Sequence, residues 1–285
     1  MAVLKNTTID DTGSVYLPFG TSAERPTNPV DGDLRYNTEL GYPEFYWKGF
    51  WANAETNKGS ITSDGLQLFL EAGNPDSYPG TGNTWFDISG NGNNFVWNTT
   101  PNTSVDEGIP HFLTDGRIAT GPPSNSFGIT QQSGCTVLVF CKQISNTEAG
   151  AFNWYGNGYT RGLFSHLAWS NNEIYFDYSN GGRVQEPSAG PPYLNGAGTY
   201  DWYIWAFRLF SNGPATAISK NGFVIAEDTD NDGGGFSSQP AEVGNTNQYP
   251  YTWNARLNAF MLYNRDLSDE EIIRNINAFR VKYPF

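Results

Sequence analysis

The sequence is poor in residues that form disulfides and metal centres, with two cysteines and two histidines among 285 residues. Cys135 and Cys141 lie in one apolar run, and in a single strand they would stand about 20 Å apart. A disulfide needs Cα atoms within about 7 Å, so we expect two free, buried thiols and no disulfide-stapled fold. His111 and His166 are far apart, and neither belongs to a nucleophile motif. This scarcity excludes a zinc pattern and the usual nucleophilic catalysis.

Basic residues are also scarce. Lys and Arg number 16 against 29 Asp and Glu, which gives a formal net charge of −13. A protein this acidic repels phosphate backbones and anionic membranes, so we expect no nucleic-acid partner and no membrane association. The simplest reason for such a charge is solubility at high local concentration.

Long hydrophobic runs are missing as well. No apolar stretch approaches the roughly 18 residues of a membrane-spanning helix. The first eight residues, Met1–Thr8, lack the charged and apolar regions of a signal peptide. We therefore expect the protein to be made in a cytoplasm, even if it ends up elsewhere.

Aromatic residues and glycine are abundant. Aromatics make up 15% of the chain and glycine contributes 32 residues, a composition that favours strands and turns. Leu66, Leu68 and Leu70 alternate with other residues, as in a strand with one core face. Further strands are predicted at 136–141, 162–166, 174–178, 202–210, 217–219, 223–226 and 255–263, with Asn221-Gly222 as a hairpin turn. These short, punctuated strands predict an all-β protein built on an antiparallel β-sandwich.

One helix is predicted near the C-terminus. Ser268 is a good N-cap and Glu271 follows three residues later, which forms a capping box. An apolar stripe at helical spacing follows and predicts packing against the sandwich; it consists of Ile272, Ile273, Ile276 and Phe279.

The first 60 residues differ in character from the rest. Three prolines between Leu17 and Gly32 exclude a helix and a central strand there. The segments 33–38 and 44–47, followed by Phe50-Trp51, predict a small β-hairpin module. A sheet of two or three short strands is only marginally stable on its own, and we therefore expect this module to contact another chain. The sequence therefore predicts an assembly module with its linker at 1–60 and a sandwich domain at 61–285.

Residues 64–285 resemble the laminin-G-like, concanavalin-A-type jelly-roll modules common in bacterial and phage surface proteins. The matching stretches are 64–75, 85–93, 217–226, 243–245 and 258–272. The resemblance implies a lectin-like jelly roll but not a particular function. For the polar loop that begins Asp87-Ile88-Ser89-Gly90-Asn91, we favour a tight structural turn over a ligand site.

Residues 17–52 resemble a short module of phage tail-fibre and other virion structural proteins, especially those of cyanophages. The resemblance lies in Arg25-Pro26, Pro29, Gly32, Arg35-Tyr36-Asn37-Thr38, Glu44, Tyr46 and Trp51. It implies a virion component in which this module joins other virion proteins or further copies of the chain, as a trimer if fibre-like. The residues it assigns to assembly are Arg25, Arg35, Tyr36, Tyr46 and Trp51.

Two functions follow as expectations. The first is a virion surface protein, either a tail-fibre-type adhesin or a head or tail decoration protein, that displays the jelly roll towards a host glycan. The second is a free carbohydrate-binding module or lectin. A glycan-degrading enzyme is a third hypothesis. We do not favour it because the sequence has no Glu-x-Asp-x-Glu pattern, which would place paired catalytic carboxylates on one strand. Glu173 and Asp177 form the one acidic pair near such a spacing.

Exposed aromatics are what a glycan site requires, since sugar rings present apolar C–H faces that stack on Trp and Tyr. Two clusters in Gly- and Asn-rich stretches are candidates, although large aromatics also pack sandwich cores. They consist of Trp154, Tyr155, Tyr159, Arg161 and Trp169, and of Tyr249, Tyr251 and Trp253.

Calcium is the one cofactor that the sequence suggests. Asp228, Asp230 and Asp232 stand at alternate positions before Gly233, as at the start of a calcium loop. The twelfth position is Gln239, so the usual bidentate glutamate is missing. The alternative is a solvated acidic loop.

Overall fold

The computed structural model describes two compact units, Met1–Lys58 and Gly59–Phe285. The described residues are 16–39, 41–47, 50–53, 60–130, 133–157, 161–178, 182–185, 200–211, 216–229, 235–247 and 251–285, with backbone only at 47, 50, 52, 53 and 161.

The smaller unit is a four-stranded sheet with a 3-10 turn at Ser22–Glu24. Its strands follow one another in the sheet, the first pair parallel and the others antiparallel. They are β1 Phe19–Gly20, β2 Leu34–Asn37, β3 Tyr42–Trp47 and β4 Phe50–Asn53. The predicted hairpin is thus present as β2 and β3, the predicted Phe50-Trp51 segment forms part of β4, and β1 is an additional strand.

The buried side of this small sheet is polar. Arg35 and Asn37 are buried on β2, whereas Leu34 and Tyr36 between them are exposed. Glu44, only 1% exposed, lies opposite Arg35 on β3 and receives hydrogen bonds from its neighbours. Arg25 binds Glu44 through two nitrogens, at 3.2 and 2.7 Å. A charged and amide network therefore fills the interior that an apolar core would usually occupy.

This network changes the interpretation of the predicted assembly residues. Arg35 lies 3.6 Å from Glu44 and donates to the Thr21 carbonyl, so its charge is used inside the unit. Tyr46 and Trp51 pack against each other with ring centroids 5.4 Å apart. Arg25, Arg35, Tyr46 and Trp51 thus make contacts inside the module, and Arg35 is buried. Their part in assembly stays a prediction. Of the five predicted residues, Tyr36 is the one on the exposed side of β2.

The larger unit has sixteen strands and one α-helix among its described residues. Their bounds are β5 Leu66–Glu71, β6 Thr84–Trp85, β7 Phe95–Trp97, β8 Asn102–Asp106, β9 Ile109–Leu113, β10 Ala119–Pro123, β11 Cys135–Gln143, β12 Phe152–Tyr155, β13 Arg161–His166, β14 Tyr175–Tyr178, β15 Gly182–Gln185, β16 Trp202–Leu209, β17 Thr216–Lys220, β18 Phe223–Asp228, β19 Pro240–Val243, β20 Ala255–Tyr263 and α1 Asp269–Lys282. A 3-10 turn lies at Ser124–Ser126.

These strands form two antiparallel sheets that pack face to face. The back sheet has the order β18-β17-β16-β11-β20-β9-β8, with β5 also paired to β20. The front sheet has the order β15-β14-β13-β12-β19-β10-β7-β6. Residues of both sheets share one apolar core, for example Phe207 and Phe260 from the back and Phe152 from the front. The predicted antiparallel β-sandwich is confirmed.

Helix α1 covers the outer face of the back sheet. Ser268 caps it as predicted: its Oγ accepts from the Glu271 N–H, and the Glu271 carboxylate accepts from the Ser268 N–H. Ile272, Ile276 and Phe279 are buried against the sheet. No helix in the described parts of the chain is long and apolar enough to span a membrane.

The Asp87 loop is a structural turn, as predicted. The Asp87 carboxylate accepts from the backbone N–H groups of Phe69 and Asn93, each at 2.9 Å. Asn91 donates to the Leu66 carbonyl at 2.8 Å. The loop is therefore tied to β5 by its own polar side chains.

Both cysteines lie on β11 and are free and buried, as predicted. Burial raises the pKa of Cys135 to about 12 and also raises the pKa of Cys141. Since the thiolate is the reactive form, neither thiol is reactive at neutral pH in the folded protein.

Candidate functional site

The outer face of the front sheet is the candidate site. The equivalent face of the back sheet is occupied by α1. No α-helix among the described residues covers the front face, but most of the side chains on it are buried. Its side chains are those that alternate with core residues such as Trp154, Phe176 and Val243. From the strand registers they are Asn153, Tyr155, Phe164, His166, Tyr175, Asp177, Arg183, Gln185 and Glu242.

An aromatic cluster lies at one end of this face, where β13 ends. The ring of Trp169 is half-buried and meets His166 edge-on, with centroids 4.3 Å apart. Tyr175 lies edge-on to both, at 6.0 Å from His166 and 6.4 Å from Trp169. His166 Nδ1 donates to the Ala149 carbonyl at 2.9 Å, which fixes the imidazole plane. We call Trp169, His166 and Tyr175 the Trp169 cluster.

A polar rim borders the Trp169 cluster. The Glu173 carboxylate accepts from Asn171 and Gln185, each at 2.5 Å, and from the Tyr175 hydroxyl. Asn171 also donates to the Tyr175 hydroxyl at 2.7 Å. Burial, followed by the hydrogen bond to Glu173, raises the pKa of Tyr175, so the phenol keeps its proton. The rim therefore offers amide, hydroxyl and carboxylate groups side by side.

An ion pair continues the rim along β14 and β15. Arg183 donates to both oxygens of Asp177, at 2.5 and 3.0 Å, in a bidentate arrangement. The guanidinium carbon lies 4.8 Å from the centre of the Tyr175 ring. Asp177 is almost fully buried, whereas the Arg183 side chain is 41% exposed. The pair thus presents a fixed planar cation towards solvent.

A second polar group lies on β12 and β19 of the same face. The Tyr155 hydroxyl donates to the Glu242 carboxylate at 2.8 Å, and the Asn247 N–H donates to the same oxygen at 3.1 Å. Burial, and then the charge of Glu242, raise the pKa of Tyr155. Tyr155 is half-exposed and Asn247 is exposed, so both remain accessible while Glu242 fixes their orientation.

Two of the predicted glycan residues belong to the core instead. Trp154 is fully buried and stacks on Phe260 between the sheets, at 5.4 Å and nearly parallel. Trp253 is 1% exposed, and its indole N–H donates to Gln143 at 3.0 Å and to the Leu167 carbonyl. Neither ring is accessible to a ligand, so these two assignments were wrong. Both indoles are instead part of the apolar core between the two sheets.

The remaining predicted residues divide into two groups. Trp169, Tyr155 and Tyr251 are partly or largely accessible, and the structure places the first two on the front face. Tyr159 and Tyr249 lie outside the described residues, and Arg161 is described only as the backbone partner of Tyr155 on β13.

The predicted calcium loop falls largely outside the described part of the chain. Asp228 ends β18 and is half-buried, whereas Asp230 and Asp232 are not described. Among the described residues, no group of three or more His, Cys, Asp or Glu side chains is placed to hold a metal ion. Calcium binding stays a prediction.

Sequence reasoning missed His166, Tyr175, Arg183, Gln185 and Glu242 as site residues. A usable signal existed in β14, where Tyr175 and Asp177 alternate with the core residues Phe176 and Tyr178. No sequence pattern identifies Glu242, because its partner Tyr155 is 87 residues away.

No protein-family model and no curated protein matches this sequence. Several solved structures, however, have a fold similar to that of this chain. The binding domain of Paraclostridial Mosquitocidal Protein 1 superposes with a TM-score of 0.60 at 14% identity, covering 76% of this chain and 53% of that one. Domain 4 of AbnA, a GH43 extracellular arabinanase from Geobacillus stearothermophilus, was solved in complex with arabinotriose. It superposes with a TM-score of 0.53 at 14% identity, covering 74% of this chain and 98% of that one.

A Trypanosoma rangeli sialidase gives a TM-score of 0.54 at 13% identity over 95% of this chain and 37% of its own. The chain therefore spans about a third of the sialidase and about half of the mosquitocidal binding domain. At these identities the similarity establishes the fold alone, a β-sandwich.

Proposed function

We propose that the larger unit is a carbohydrate-recognition domain whose binding site is the Trp169 cluster and its polar rim. The observation that carries the proposal is one half-buried indole, packed against two buried rings and bordered by four polar side chains at one end of the front sheet's outer face. The rim residues are Asn171, Glu173, Arg183 and Gln185.

The chemistry of this site matches a sugar. A sugar ring needs one flat apolar surface for its C–H face, which the Trp169 indole provides. Its hydroxyl groups need mixed donors and acceptors held in place, and Asn171, Glu173 and Arg183 supply both kinds. Because these side chains already bind one another, little conformational entropy is lost when they bind a ligand.

Two comparisons support this proposal without extending to a particular ligand. One similar structure is a binding domain, and another is a domain solved with arabinotriose. Both share the sandwich fold with this chain. We therefore use neutral oligosaccharides, arabinotriose among them, as the first probes.

Replacing Trp169 by alanine is expected to weaken glycan binding at least about fivefold, since stacking of one ring contributes on the order of 1 kcal/mol or more. Binding is measured by a glycan array on the full chain, followed by calorimetry with each hit. Phe223→Ala is the matched control, because Phe223 is an exposed aromatic on the edge of the back sheet.

The proposal fails if the array shows no binding, or if both variants bind as the unchanged protein does. Cleavage of a bound glycan that disappears in Glu173→Gln or Asp177→Asn would instead establish the enzymatic alternative.

We further propose that the chain is a virion surface protein, a tail-fibre-type adhesin or a decoration protein, that displays this domain. The support is the phage-like module at 17–52, whose shared residues Arg25, Arg35, Asn37 and Glu44 form one buried network. Mass spectrometry of purified particles should find the chain at a fixed stoichiometry. Its absence from the particles would leave a free lectin as the function.

A further inference from the structure

The small N-terminal sheet has its apolar residues on the outside. Residues opposite each other on neighbouring strands share a face, and the register places Phe19 beside Tyr36, Tyr36 beside Pro43 and Leu34 beside Phe45. Phe19 is 73% exposed, Leu34 47% and Tyr36 38%. We call Phe19, Leu34, Tyr36, Pro43 and Phe45 the apolar face.

The opposite side of this sheet is already occupied. Arg35, Asn37 and Glu44 are buried there beneath the Ser22–Glu24 turn and Arg25. In this sheet the polar residues face inward and the apolar residues face outward, which is the reverse of the usual arrangement. A contiguous apolar face of this kind, on a unit whose other side is occupied by its own polar network, marks an interaction surface.

We infer that the apolar face binds the same face of a second copy of this chain. Charge is the first argument. The chain carries a net charge of −13, so two copies repel each other except through a neutral surface. The charged side chains described in this unit lie on the buried side or in the turns, and none lies on the apolar face. Self-contact through these five residues brings no like charges together, and the acids Glu24 and Asp33 line a cleft beside the face.

Shape is the second argument. The apolar face carries a protruding ring, Phe19, and borders a cleft of about 280 Å³. The cleft is lined by the apolar residues Pro18, Phe19, Pro26, Leu34 and Trp51 and by the charged residues Glu24, Asp33 and Arg35. A surface with both a protrusion and a recess can fit itself across a two-fold axis, where each contact occurs twice.

The size of the face determines the strength of the contact. The apolar face spans three strands with about four residues each, a patch of roughly 14 by 13 Å, or about 180 Å². That is well below the roughly 800 Å² per partner of a stable dimer. The contact is therefore weak between free chains, and it becomes populated where copies are held close together.

Cross-linking captures such a weak contact. Both native thiols are buried, so Leu34→Cys places a single reactive thiol on the apolar face. Full-length protein carrying this change is treated with a flexible bis-maleimide that can span the face. Val105→Cys, on a strand position of the larger unit that is at least as exposed as Leu34, reports random collision.

The expected result is dimer cross-linking at least about tenfold faster for Leu34→Cys than for Val105→Cys, because association raises the effective thiol concentration. Adding Phe19→Ser should bring the rate down to that of Val105→Cys. Hydrogen–deuterium exchange over residues 34–46 checks that the module remains folded in each variant. Equal rates for the two single-cysteine proteins would overturn the inference, as would a fast rate that Phe19→Ser leaves unchanged. Either outcome means that the face is covered by something other than a second copy.

Discussion

Glu44→Gln is expected to unfold the N-terminal unit while the larger unit stays folded. The substitution removes the negative charge that Arg25 and Arg35 share and leaves two guanidinium groups close together in a buried site. Breaking a buried ion pair by removing one partner costs about 3–5 kcal/mol. A unit of fewer than 60 residues rarely has more stability than that to lose.

Hydrogen–deuterium exchange followed by mass spectrometry is the suitable measurement, because it separates the two units of one chain. Peptides from residues 34–46 should lose protection in Glu44→Gln, while peptides from β11 and β20 keep theirs. Glu39→Gln is the control: Glu39 is exposed and accepts from the Ser22 N–H, so its effect should be small. Full protection of 34–46 in Glu44→Gln would show that the network does not hold the module together.

Trp154→Ala is expected to destabilise the larger unit by about 3–5 kcal/mol, which is typical when a large aromatic is removed from a core. The indole of Trp154 stacks on Phe260 and contacts Phe127 edge-on, so no neighbour can easily fill the space left behind. Chemical denaturation monitored by far-ultraviolet circular dichroism measures the loss.

Trp169→Ala provides the comparison on the same sheet. Trp169 is half-buried on the outer face, so its loss should cost about 1 kcal/mol or less and affect binding instead. A stable Trp154→Ala variant that had lost glycan binding would contradict this division and restore Trp154 as a ligand residue.

The sandwich was predictable because its signals are local. The capping box of Ser268 and Glu271 and the apolar run of β11 each specify an element within about ten residues. In β12 the signal was present but read wrongly. Phe152 and Trp154 share one face while Asn153 and Tyr155 share the other, which predicts that Trp154 is buried and Tyr155 exposed.

The interior of the N-terminal unit was not predictable in this way. Leu34 and Tyr36 alternate with Arg35 and Asn37, and the usual rule turns the apolar pair inward. The structure buries the polar pair because Glu44, on the next strand, neutralises and hydrogen-bonds it. Glu44 is itself held in place by Arg25, and the alternation of residues along β2 does not reveal these contacts between distant segments.

The site itself required the assembled sheet. Trp169, Tyr175 and Arg183 come from separate turns and strands, and only the β13–β14–β15 pairing brings them together. Trp169 was identified from its aromatic character, but its supporting rings and its polar rim were not.

The central claim is that the front sheet binds sugars at Trp169, and indole N–H resonances test it most directly. The chain has nine tryptophans, and Trp154 and Trp253 are among those that are fully buried. The protein is titrated with arabinotriose and with each neutral glycan found on the array, and Trp169→Ala assigns the Trp169 signal. We predict a saturable shift of the Trp169 indole signal, with those of Trp154 and Trp253 unchanged. Saturable glycan binding without a shift of the Trp169 indole N–H resonance would contradict the claim that sugars bind at Trp169.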